Sequence, residues 1–156
     1  LARGMVMGLT ASTTRADLAR AVFEGTAYAL RQVVECLETV VGHPVAQIRA
    51  MGGGTRTPLW NQIKADVLQK ALLVLDFQDT GALGAALLAG VRTGVYDTFE
   101  EATDVAQKVS GGVTVTPNPT HAAIYDELFE LYTRAYPETR ALAHALAGQK
   151  ADFSGA

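Results

Sequence analysis

The sequence predicts an α/β fold, with parallel strands flanked by helices. Three observations point to it. Two short apolar runs, Val45 to Met51 and Leu72 to Phe77, have the length of strands. A helical pattern with Leu59, Trp60, Ile63 and Val67 on one side separates them. Three glycines, Gly52-Gly53-Gly54, join the first run to that helix, so strand, side-chain-free turn and helix follow in succession. Strands alternating with helices make a layered arrangement with right-handed crossovers, in which the strands run parallel.

Each element has its local signals. Residues 1–10 are apolar and punctuated by Gly4 and Gly8, a strand-like or irregular lead-in. Ser12-Thr13-Thr14 supplies caps for a long helix from Arg15 to Val41. Its apolar stripe is Leu18, Val22, Gly25, Ala29, Val33, Leu37 and Val40, at steps of three and four. Arg20 and Glu24 stand four apart and can pair. Gly42-His43-Pro44 stops the helix. Val45 to Met51 is then expected as a central, buried strand. A helix from Pro58 to Lys70 follows, since proline is tolerated in a first turn. The nearly continuous apolar run of the second strand predicts burial on both faces.

Asp79 or Thr80 caps the next helix, Gly81 to Thr93, which is rich in Ala, Gly and Leu and is expected to pack closely on the sheet or near a ligand. Thr98 with Glu101 marks a capping box for a short helix to Lys108. Val109 to Pro119 reads as a loop with Val/Thr alternation. Thr120 to Ala135 is an amphipathic helix, broken at Pro137, with a last helix to Leu146.

Composition narrows the function. The chain has 156 residues, 49% hydrophobic and 19% charged, which is one domain's worth with extensive buried faces. A net charge of −3 without any basic run speaks against nucleic acid as a partner. No apolar run approaches a membrane span, and no signal-peptide pattern opens the chain. The one cysteine, Cys36, is expected to be a small buried hydrophobe, and a reducing cytoplasm fits this usage. The chain starts abruptly at Leu1, as a piece of a longer protein would. Residues 1–147 are read as one domain and 148–156 as a flexible tail.

The words around the glycines are more specific than the glycines. Gly52-Gly53-Gly54, Pro58-Leu59-Trp60-Asn61-Gln62 and Ala65-Asp66 together resemble the adenosine-binding segment of the FGGY family of carbohydrate kinases, with xylulokinases as the closest subgroup. Upstream, Gly8-Leu9-Thr10 and then Leu18-Ala19-Arg20-Ala21-Val22-Phe23-Glu24-Gly25 resemble the segment that leads into a long helix in that family. Downstream, Gly81-Ala82-Leu83-Gly84-Ala85-Ala86 is similar to its "ALGAA" helix. The three segments keep the family's order, and the resemblance covers nearly the whole chain.

What this resemblance implies can be stated concretely. The fold would be the later part of a ribonuclease-H-like domain of the actin/hexokinase/Hsp70 ATPase type, the C-terminal nucleotide-binding domain of the kinase. The parent would transfer the γ-phosphoryl of ATP, with Mg²⁺, to a sugar hydroxyl, and D-xylulose to D-xylulose 5-phosphate is the expected reaction. Gly52, Gly53, Gly54, Thr57, Arg56 and Gly81 would form the ATP-binding set. The sugar pocket and the general base would lie in an N-terminal domain outside this chain, so the chain alone should be inactive. An incomplete sheet should leave an exposed edge and favour homo-oligomers.

Ordinary readings stand beside these. A triple glycine by itself is a flexible turn, and an Arg such as Arg56 is usually solvated. A dinucleotide fingerprint fails, because its third glycine position falls on Thr57 or Pro58. A P-loop fails for want of Gly-Lys-Ser/Thr. Trp60 is expected as a core anchor, and Asp66 and Glu24 as structural. The stripe Tyr125, Phe129, Tyr132 and Tyr136 is expected in the core. His43, His121 and His144 are too scattered to suggest zinc. The rival reading of the whole chain is a non-catalytic interaction module that keeps the fold.

Overall fold

The structure, a computed structural model, describes residues 4–76, 79–109 and 111–148. The chain forms helix α1 (Arg15–Val41), strand β1 (Gln47–Ala50), a 3-10 turn (Gly53–Thr55), α2 (Pro58–Leu68), β2 (Ala71–Leu75), α3 (Thr80–Thr93), α4 (Phe99–Val109), β3 (Gly112–Val115), a second 3-10 turn (Pro119–His121) and α5 (Ala122–Gly148). The sheet order is β1-β2-β3. β1 and β2 run parallel, with Gln47 opposite Ala71 and Ala50 opposite Val74.

Three expectations are corrected here. The stretch read as a loop, Val109 to Pro119, contains β3, which pairs antiparallel with β2. Its Val/Thr alternation is the period of a strand, and hydrogen bonding to β2 turns that weak preference into structure. The sheet is therefore mixed rather than all parallel. The strand expected to be central, β1, lies at the edge; β2 is central. Pro137 does not break the last helix, because α5 continues through it to Gly148. Its helical neighbours absorb the missing N–H at the cost of one backbone bond. Phe77, the expected end of the second strand, lies outside the described residues, as do residues 1–3 and the tail beyond Gly148.

Capping followed the sequence closely. The Thr14 side chain accepts from the Asp17 N–H, and the Asp17 carboxylate accepts from the Thr14 N–H at 2.8 Å, closing a capping box. Gly42 ends α1 in the left-handed region at φ 75°. Asp79 caps α3, accepting from the Ala82 N–H at 2.9 Å. The Glu101 N–H donates to the Thr98 hydroxyl, and the Asp97 N–H donates to the Glu101 carboxylate.

The core sits where α2 is covered by α1 and α5. Ala27 and Tyr28 of α1, Ile63 and Val67 of α2, and Tyr125 and Phe129 of α5 form one buried cluster, with Phe23, Trp60 and Tyr132 against it. Asn61 and every residue from Ile63 to Leu68 are buried, so α2 is enclosed nearly all round. Trp60 anchors as expected, its ring 5.0 Å from that of Phe23. Tyr136 departs from the predicted core stripe: it is exposed and faces His144. The α1 stripe of Leu18, Val22, Val33, Leu37 and Val40 is also exposed. Cys36, expected to be buried, lies with it on the surface. No helix of the described residues is long and apolar enough to cross a membrane.

Candidate functional site

The carboxyl ends of β1 and β2 end side by side, because Ala50 and Val74 are paired. Each strand then turns into a helix, β1 through Gly52–Thr57 and β2 through Asp79. In open sheets of this kind, ligands settle beyond the carboxyl ends of neighbouring parallel strands.

The first turn is shaped by Gly52. Its φ of 86° and ψ of −176° belong to a region essentially reserved for glycine. The Gly52 carbonyl is then gripped twice by Thr55, through its N–H at 3.1 Å and its hydroxyl at 2.8 Å. The Arg56 N–H donates to the Gly53 carbonyl, which completes the 3-10 turn. Gly53 and Gly54 have no such backbone demand. A Cβ added at Gly53 would meet nothing within 4 Å, and one at Gly54 would reach only the Trp60 Nε1 at 3.7 Å. The face above Gly53 is thus open space.

Thr57 is the residue before α2, in extended conformation, and its side chain does not cap the helix. Its carbonyl accepts from the Asn61 N–H at 3.1 Å. Both Thr57 and Arg56 are exposed. Gly81 stands in the first turn of α3, exposed, with the Asp79 carboxylate 3.7 Å from where a Cβ would be. Gly81 follows β2 in the chain, and β2 is the strand paired with β1. α3 packs on α4 and buries none of its described side chains, so the close packing on the sheet expected of it is not made.

Two buried polar residues support this region. Asn61 is 5% exposed and its amide Nδ2 donates to the Thr55 carbonyl at 2.7 Å. Asp66 is 3% exposed, and its carboxylate accepts from Gln62 Nε2 and the Asn118 N–H, both at 2.7 Å, and pairs with His121 Nδ1 at 2.8 Å. This bears out a structural role for Asp66. It ties α2 to the segment between β3 and α5. Asn61 was not singled out from sequence. The available signal was a short amide next to Trp60 and two residues before Ile63, within the first turn and a half of α2.

Other charged groups brace the scaffold. Arg20 pairs with Glu24 at 2.7 Å, as the spacing predicted, and Tyr125 donates to Glu24 at 2.9 Å. Arg31 links Glu35, Asp126 and the Val67 carbonyl, and lies 4.3 Å over the Phe129 ring. Burial pushes the Lys64 ammonium below its ordinary range, and its Nζ sits 5.0 Å from the Trp60 ring centre. Among the described residues, no three His, Cys, Asp or Glu side chains are grouped to hold a metal ion.

Comparison with known proteins gives a consistent result. The sequence profile "FGGY family of carbohydrate kinases, C-terminal domain" matches residues 1–93. A glycerol kinase of Methylorubrum extorquens (strain PA1) is 43% identical over 103 residues, which are 66% of this chain and 21% of that protein. A xylulose kinase of Staphylococcus epidermidis is 30% identical over 140 residues, 90% of this chain and 28% of that protein. The solved structure of xylulose kinase from Rhodospirillum rubrum superposes with a TM-score of 0.72 at 32% identity, over 88% of this chain and 28% of that one. The chain therefore spans between 21% and 28% of the length of these relatives.

Proposed function

Because this chain belongs to the FGGY family of carbohydrate kinases, we propose that it is the adenosine-binding part of an ATP-dependent sugar kinase. The observation that carries this reading is the pair of strand-to-helix turns at adjacent carboxyl ends, with open space over Gly53. Gly52 shapes the turn. Gly53 and Gly54 let the flat adenosine approach the backbone, because no Cβ stands in its way. The Thr57 hydroxyl, not used for capping, reaches toward the adenine. Arg56 faces the phosphates or stacks on the base. Gly81 and the start of α3 line the neighbouring wall.

The parent enzyme, on this reading, moves the γ-phosphoryl of ATP to a sugar hydroxyl. Mg²⁺ arrives with the nucleotide phosphates and takes its protein ligands from elsewhere in the parent. The N-terminal domain supplies the sugar pocket and general base, and closure over both substrates excludes water. The fold would be the later part of a ribonuclease-H-like domain, which the superposition on a kinase supports. D-xylulose is the proposed sugar. The match to a xylulose kinase runs over 90% of the chain, through its C-terminal third, whereas that to a glycerol kinase covers 66%. The cytoplasm is the proposed compartment. The exposed α1 stripe and the free edge of β1 favour self-association of the isolated chain, which light scattering would register as a mass above that of the monomer.

An amide NMR titration with Mg·ADP, with NAD as control, tests the nucleotide site. The expected result is shifts confined to Gly52–Thr57 and Gly81–Ala85 with ADP only. In the full-length parent, Gly53→Val should raise the KM for ATP by placing bulk where adenosine sits. An unchanged KM would refute the assignment of Gly53 to the adenosine site, and a full-length parent that transfers no phosphoryl group from ATP would favour a non-catalytic interaction module.

A further inference from the structure

Asn61 occupies an unfavourable place. Asparagine is a poorer helix former than leucine or alanine, and this one is the fourth residue of α2, 95% buried. Its Oδ1 is buried and meets no hydrogen-bond donor among the described residues. A buried amide oxygen left unpaired is a loss that an apolar side chain would avoid. What the residue gains is one bond, from Nδ2 to the Thr55 carbonyl at 2.7 Å. The amide orientation follows from that contact, since an oxygen turned toward the carbonyl would be repelled.

That single bond lands at a sensitive point. Thr55 is the residue that grips Gly52 through both its N–H and its hydroxyl. Gly52 in turn holds a backbone conformation that the chain tolerates only at glycine. Gly52, Thr55 and Asn61 thus form one line of hydrogen bonds, from the glycine end of the turn to the enclosed helix α2. The Asn61 N–H also bonds to the Thr57 carbonyl, so one residue fixes both the end of the 3-10 turn and the start of α2.

We propose that Asn61 is a positioning residue for the nucleotide: it holds the Gly53–Thr55 turn in the shape that the adenosine meets, without touching the ligand. This rests on the nucleotide reading given above. It predicts an uncommon pattern, in which replacing a buried residue keeps the fold and damages one substrate's binding alone. Leucine at this position keeps the branched shape with the same number of side-chain heavy atoms, removes the unpaired oxygen and removes the tether, at the cost of some added bulk.

The test is steady-state kinetics of the full-length parent kinase carrying Asn61→Leu, beside Gly53→Val, with melting curves of each. Asn61→Leu should raise the KM for ATP about tenfold, the equivalent of one lost hydrogen bond, while the KM for the sugar stays within about twofold and the melting temperature does not fall. If Asn61→Leu does not fold, Asn61→Ala, which removes the amide and adds no bulk, is read the same way. An unchanged KM for ATP, with Gly53→Val raising it, would overturn the positioning role and leave the nucleotide site standing. Failure of both substitutions to move it would overturn both. A joint rise in the two KM values with a lowered melting temperature would mark Asn61 as merely structural and also overturn the proposal.

Discussion

Replacing Asp66 by alanine is expected to cost the fold about 3 kcal/mol, more than any other single truncation of a polar side chain on α2. The carboxylate is 3% exposed and accepts hydrogen bonds from Gln62, the Asn118 N–H and His121, at 2.7, 2.7 and 2.8 Å. A hydrogen bond to a charged group contributes about 1.5–3 kcal/mol. That range is discounted here, because Asn118 is exposed and His121 is 44% exposed, so water can replace the lost partner. Counting about 1 kcal/mol for each of the three contacts gives the total. For a chain of this size, that corresponds to a fall in melting temperature of about 6–12 °C. Asp66→Asn keeps the shape and an acceptor oxygen but loses the charge opposite His121, and should cost roughly half as much. Thermal unfolding followed by circular dichroism at neutral pH measures both. A shift of less than about 2 °C for Asp66→Ala would refute the reasoning, because it would mean that α2 and the β3–α5 segment are held together by apolar packing alone.

Three further perturbations have defined outcomes. The Tyr28 hydroxyl is buried and finds no partner among the described residues, so Tyr28→Phe should raise the urea midpoint, by up to about 1 kcal/mol of stability; a lowered midpoint would mean the hydroxyl is satisfied. Gly52→Ala should cost about 1–3 kcal/mol in backbone strain, seen as a lower melting temperature, although its Cβ would meet nothing within 4 Å. The Asp126 carboxyl is held below its usual range by the hydrogen bond from Arg31 and then that from Gln69. Its contribution is therefore fully present above about pH 4 and is lost as the pH falls through the lowered folded-state value. Because Asp126 is 49% exposed, the effect should stay below about 1 kcal/mol, and Asp126→Asn should flatten that part of the urea midpoint against pH.

Much of this molecule is local in origin, and that part was legible in the chain. Thr14, Gly42, Asp79 and Thr98 mark helix ends because a cap needs only residues within one turn of it. The turn between β1 and α2 was legible for the same reason: glycine there answers to its own backbone angle. The pairing of Arg20 with Glu24 is likewise set by helical spacing. The identities of Gly52, Gly53, Gly54, Arg56, Thr57 and Gly81 as a binding set came from the wording of the segments and remain a proposal. The structure adds the parallel register that brings their strands together.

What the sequence by itself determined is the succession of helices and of the two parallel strands, their stops, and the family to which the segments belong. Only the tertiary structure decided which strand is central, that Gly112–Val115 joins the sheet, and which faces of α1 and α5 are buried. Four residues, a glycine followed by Val-Thr-Val, have too little intrinsic preference to declare a strand. They become one when β2 offers its unpaired edge. An apolar stripe likewise shows only that a helix has two faces. On α1, Tyr28 and Val34 turn inward while Val33 and Leu37 stay exposed, because α2 and α5 lie on that side. The roles of Asn61 and Asp66 were hidden for the same reason. Their partners, Thr55 six residues back and His121 far along the chain, become neighbours only when α2 is enclosed.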